Sequence, residues 1–183
     1  MLQQATCDVH QRLHLHRGFA SIQDGSINSE SYQQLLVRLY GFYLPFETET
    51  RISSERSQWL ERDLDAMHGD NKPLTGIPLC RAIPTLSTPQ RVLGAMYVIE
   101  GSALGGHALA GNLDTLLGKG VREGRRFFEG RGSATGLAWR GWLGQLDVFE
   151  QGPDARGEVV GAAIETFSVF ENWLNGWRTP VHD

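Results

Sequence analysis

Residues 91–117 read as one long helix with glycines at its centre, and that conflict constrains the fold more than any other feature. From Arg91 to Leu117 there is no proline. Val92, Leu93, Met96, Ile99, Ala103, Leu104 and Ala108 recur at helical spacing. Yet Gly101, Gly105 and Gly106 interrupt the stripe. Each costs roughly 1 kcal/mol against alanine in a helix interior. A helix that carries such a cost is bent there or brings bare backbone against a neighbour. Gly101 and Gly105 are four residues apart and Gly106 follows directly, so all three fall on or near one face. Two readings fit: close helix–helix packing, or a large planar ligand lying on the backbone.

The rest of the chain predicts more helices and little else. Residues 2–16 predict a short helix with Leu2, Val9, His10 and Leu13 near one side. Asp24-Gly25-Ser26 is a turn signal, and Ser29-Glu30-Ser31 opens a helix reaching about residue 52. Its stripe runs through Tyr32, Leu35, Leu36, Leu39, Phe42, Tyr43 and Phe46, with Pro45 as an expected kink. A further amphipathic helix runs from Ser54 to Met67 around Trp59, Leu60 and Leu64. Residues 69–88 hold Pro73, Pro78 and Pro84 and read as an irregular connector. Thr88-Pro89 is a cap and first-turn pair for the glycine-bearing helix. A Gly- and Arg-rich connector at 118–132 precedes two last helices, about 133–149 and 154–176. No period-two pattern is convincing. The expected architecture is an all-α bundle forming a single domain over residues 1–183, a class that places ligand sites between facing helices.

Composition narrows the function classes. A net charge of −4 argues against a general nucleic-acid binder. No apolar run approaches the roughly 20 residues that span a bilayer. The first residues lack the basic and apolar regions of a signal peptide. Cys7 and Cys80 have no metal-type spacing and read as free thiols in a reducing cytoplasm. His10, His14 and His16 crowd the first helix, but nothing nearby completes a zinc site of familiar spacing. His10 and His107 can each be structural residues or ligands. There is no nucleophile elbow, phosphate loop or carboxylate pair. A histidine plus a glycine-bearing helix suits a haem: one imidazole for iron, thin backbone over the opposite face.

Two segments carry a family resemblance. Ala5-Thr6-Cys7-Asp8-Val9-His10 resembles the proximal-histidine segment of haem oxygenases. Gly101-Ser102-Ala103-Leu104-Gly105-Gly106 resembles that family's distal-helix signature. Ser133-Ala134-Thr135, with Trp139 and Trp142 behind it, is also similar. The wording Leu39-Tyr40-Gly41-Phe42-Tyr43 and Tyr97-Val98-Ile99-Glu100-Gly101-Ser102 resembles the bacterial branch that supplies biliverdin to bacteriophytochromes. The resemblance implies haem as both substrate and cofactor, held between an N-terminal proximal helix and a glycine-kinked distal helix. With O₂ and an external reductant it would be opened to biliverdin, CO and Fe²⁺. His10 would be the axial iron ligand, and Gly101, Ser102, Gly105 and Gly106 the catalytic distal wall.

One departure from the family pattern is Ser102, where animal enzymes place an aspartate that organises distal water. It leaves open an alternative, a non-catalytic haem carrier or sensor on the same fold. Arg140 lies close to where the family places basic propionate contacts, with Arg12, Arg17 and Arg38 as other candidates. The connector sets Lys119, Arg122, Arg125, Arg126 and Arg131 against Glu123 and Glu129. That cluster is either a solvated face or a dock for an acidic electron donor such as a ferredoxin, flavodoxin or reductase.

Overall fold

A computed structural model describes residues 2–51, 55–68, 76–149 and 152–176. Ten α-helices carry the described chain: α1 (Leu2–Ala5), α2 (Cys7–His14), α3 (Arg17–Gln23), α4 (Ser29–Thr50), α5 (Glu55–His68), α6 (Pro89–Leu109), α7 (Asp114–Leu117), α8 (Arg126–Glu129), α9 (Thr135–Phe149) and α10 (Pro153–Asn175). There is no strand among the described residues, and none of their helices is long and apolar enough to cross a membrane.

Local chemistry explains most boundaries. Asn28 caps α4 by accepting from Ser31 N–H at 2.8 Å, and Thr88 caps α6 by accepting from Arg91 N–H at 3.2 Å. α4 ends at Arg51, in the left-handed region with φ 53°. Asp24 Oδ1 accepts from both the backbone and the hydroxyl of Ser26, closing the turn after α3 over Gly25 (φ 72°). The described part of the 69–88 connector forms neither helix nor strand; Pro73 lies outside the described residues.

The structure departs from expectation at the N-terminus. The helix expected over 2–16 breaks at Thr6, whose side chain is buried and donates to Leu2 O at 2.9 Å. α3 was not anticipated. It starts because His16 Nδ1 accepts from Gly18 N–H, doing the work of a cap residue. The 118–132 connector also contains a full turn, α8, whose first two amides donate to the Asp63 carboxylate at 2.6 and 2.8 Å. Pro45 and the three glycines do not interrupt α4 or α6.

The core lies where α4, α6 and α10 meet. Leu35, Leu36, Leu39, Phe42 and Phe46 of α4 pack with Ala95 and Val98 of α6 and with Val159, Ala163 and Phe167 of α10. α6 approaches α10 closely at Gly94, where a Cβ would collide with the Val159 carbonyl. α4 is pinned to α10 by Arg38, stacked 3.7 Å above the Trp173 ring, and by the Trp173 indole donating to Arg38 O. The small helix α2 joins the body through a two-pronged Arg12–Glu171 pair.

Candidate functional site

A mostly apolar cavity of about 730 Å³, counting its open mouth, lies between α2 and α6. One wall is α2, which presents His10, Leu13 and His14. Another part of the wall is α6, which presents Ile99, Ser102, Gly105 and Gly106. Phenylalanines from four helices close the sides: Phe19, Phe42, Phe127 with Phe128, and Phe167 with Phe170.

His10 sits on α2 because Thr6 O accepts its amide and carries the turn forward. Its ring stands edge-on to His14, with centroids 4.6 Å apart, and edge-on to Phe167 at 6.2 Å. The residue is exposed by area, and it lines the cavity. Surrounding atoms nevertheless desolvate the imidazole, and this, with repulsion from His14, lowers its pKa. A neutral imidazole with a free nitrogen is the form that binds a metal. His14 also lines the cavity, one turn further on.

The three glycines of α6 have three different surroundings. A Cβ on Gly105 would meet nothing within 4 Å, and the residue borders the cavity. Gly106 borders it too, beside Phe128 at 3.8 Å. Gly101 does not line the cavity; it faces the Trp139 ring of α9 at 3.4 Å. Both readings of the glycine run therefore describe part of it. Packing accounts for Gly101, and thin backbone beside open space for Gly105.

Ser102 reaches the cavity wall, and so does a residue the sequence reading did not select, Tyr43 of α4. The two hydroxyls are 3.1 Å apart. Behind them a row of ion pairs runs from α5 to the chain after α8. Arg56 pairs with Glu100 at 2.9 Å, Glu100 with Arg131 at 3.0 Å, and Arg131 with Glu55 at 2.9 Å. Arg56 and Glu100 are both buried.

The other candidate residues lie elsewhere. Arg140 is exposed and does not line the cavity; its guanidinium folds back along α9 toward Gly136. Arg12 is taken by Glu171, and Arg38 by Trp173. Arg17 is exposed and also outside the lining. His107 turns to the Glu129 carbonyl. Three cations of the connector serve the fold. Arg125 is buried on Asp114 and the carbonyls of Ala110 and Gly118. Arg126 lies 4.5 Å over Trp59, and Arg131 belongs to the ion row.

The sequence and the fold are shared with known proteins. Residues 1–176 match the family model described as heme oxygenase. A heme oxygenase of Xanthomonas campestris pv. campestris (strain 8004) is 27% identical over 165 residues, spanning 87% of this chain and 98% of that protein. The structure of heme oxygenase from Leptospira interrogans superposes with a TM-score of 0.79 at 18% identity, covering 96% of this chain and 97% of the other. Heme oxygenase-1 of the cyanobacterium Synechocystis sp. PCC6803, solved in complex with heme, gives 0.75 at 17% identity over 95% and 89% of the two chains.

Proposed function

The chain belongs to the haem oxygenase family, and from that premise we propose that it degrades haem, as one domain over residues 1–183, to biliverdin, CO and Fe²⁺. The observation that supports this best is that His10 of α2 and Gly105 of α6 line one and the same apolar cavity. The residues present fit a haem. The phenylalanines offer faces and edges to a flat apolar ring, His10 offers a neutral nitrogen to its iron, and Gly105 leaves room that a side chain would fill. When bound, haem supplies the iron that activates O₂ and the ring that is oxidised.

The chain's own contribution is placement and exclusion. His10 would hold the iron from the α2 side. Gly105 and Gly106 keep the α6 wall thin, leaving space beside bare backbone for a small ligand. The aromatic sides exclude bulk water, leaving Ser102 and Tyr43 as the polar groups of the α6 side that hold and orient what water enters. Gly101 acts indirectly, by seating α6 on Trp139. Arg140 is proposed as a propionate contact from the surface of α9. The reaction needs O₂ and an external reductant, with a ferredoxin, flavodoxin or reductase as donor. Lys119 and Arg122 are the connector cations that face outward for it. A cytoplasmic setting and a bacteriophytochrome as user of the product complete the proposal.

The deciding experiment is a haem titration followed by reductant under air. A Soret band that forms on binding and then gives way to biliverdin absorbance supports the assignment. A stable Soret band under reductant and O₂ would reduce the protein to a haem carrier.

A further inference from the structure

The Tyr43–Ser102 contact has a direction that the rest of the structure dictates. Ser102 Oγ lies 2.8 Å from the carbonyl oxygen of Ile99, one turn back on α6. That oxygen can only accept, so the single hydroxyl hydrogen of Ser102 is committed to it. In the 3.1 Å contact with Tyr43, Ser102 must then accept and the phenol must donate. The lone pairs of the phenol oxygen are what Tyr43 has left for the cavity it borders.

The surroundings hold this arrangement in place. Tyr43 is 2% exposed. Burial, the largest influence, raises its pKa, so the phenol keeps its proton at physiological pH. Glu47, one turn after Tyr43 on α4, accepts from the Arg56 and Ser57 amides and from the Ser57 hydroxyl. Arg56 in turn grips Glu100, two residues before Ser102. α4, α5 and α6 are thus tied together directly behind the two hydroxyls, and the gap between them is fixed by buried charge.

We propose that Ser102 is a catch on the Tyr43 hydroxyl: by accepting its hydrogen bond it turns the phenol oxygen, and not the phenol O–H, toward the cavity. The two hydroxyls then anchor water as hydrogen-bond acceptors and themselves donate nothing to a ligand. Ser102 is a positioning residue that acts through Tyr43. Its role differs from that of an acid at the same place, because removing it creates a donor where there was none.

The consequence for a bound ligand rests on the haem reading, but the direction of the hydroxyl does not. Two measurements separate them. In haem-free protein, the tyrosine Raman doublet of wild type minus Tyr43→Phe should report a phenol that donates, and Ser102→Ala should abolish that signature. A difference spectrum showing an acceptor phenol would overturn the proposal whether or not haem binds. In the ferric haem complex, fluoride serves as the probe, since it is held by distal donors. Ser102→Ala should tighten fluoride by roughly two- to ten-fold, the worth of one neutral hydrogen bond. The same substitution in a Tyr43→Phe background should change nothing. Ser102→Thr, which keeps the hydroxyl, should bind fluoride like wild type. Unchanged or weaker fluoride binding in Ser102→Ala, or equal tightening without the phenol, would remove the catch. A wild-type protein that takes up no haem would instead defeat the functional reading, leaving the Raman result to decide the hydroxyl.

Discussion

Gly94 and Gly105 lie on one helix and do opposite things. At Gly94 a Cβ would strike the Val159 carbonyl and press on Ala162. At Gly105 it would meet nothing. Gly105→Ala should therefore stabilise the haem-free protein by up to about 1 kcal/mol, the helix-propensity gain. Gly105→Leu should keep that fold while weakening haem binding and slowing turnover, because its side chain occupies the cavity. A denaturant midpoint at or above wild type, together with lost haem affinity, checks both halves. His10→Ala should lose the histidine-ligated spectrum without unfolding, with added imidazole restoring it. Retention of that spectrum would transfer the ligand role to His14. At this scale the sequence was readable where chemistry was local. His10 and the glycines carry their signal in their own neighbours. The role of Tyr43 depends on α4 meeting α6, and nothing in the residues around Tyr43 announces Ser102.

At the scale of the element, the α6–α10 seam and the turn α8 are the informative cases. Gly94→Ala gains about 1 kcal/mol of helix propensity and meets backbone that cannot swing aside, where overpacking costs about 1–3 kcal/mol. The collision should win, lowering the urea midpoint without changing the slope. α8 is held by Asp63, whose carboxyl is pushed up to about 6, chiefly by burial and against the pull of two backbone amides. Its folded pKa lies above the unfolded value near 3.9. The folded state therefore holds the extra proton between about pH 4 and 6, and this contribution to stability is lost as pH rises through 6. Asp63→Asn should flatten that part of the stability–pH curve, read from urea midpoints across the range. Stripes and caps made α4, α6 and α10 legible, including the Thr88 cap. α3 and α8 were not. Each is held by a group that a local pattern does not flag: a histidine acting as a cap, and a carboxylate 63 residues away in sequence.

For the whole molecule, the cavity joins parts of unequal strength. α6 is buried along Leu93–Glu100 and seated on α10. α2 is eight residues long, with two of them buried. Helices of that length are marginal on their own, and the Arg12–Glu171 tie is solvent-exposed, a kind of pair that contributes little. In haem-free protein, amide exchange should be faster in residues 7–14 than in α6. Haem should protect residues 7–14 most, since a ligand that binds only the closed form stabilises it by mass action. Equal protection of α2 and α6 before haem is added would contradict this. The family-level fold could be read from two motifs, whereas the inequality could not, because it lies in burial and in the grip of α10 on α6.

A cavity built this way works like a vice with one fixed jaw. The fixed jaw is the glycine wall of α6, locked at Gly94 and backed by the Arg56–Glu100 pair; the moving jaw is the short helix that carries His10. On the proposed haem reading, a flat guest would be registered against the better-buried α6 wall, and His10 would complete its hold from the short helix. The orientation of that guest would then be set by the wall opposite its iron ligand, and substitutions that loosen α2 should alter how tightly haem is held more than which edge of it is presented.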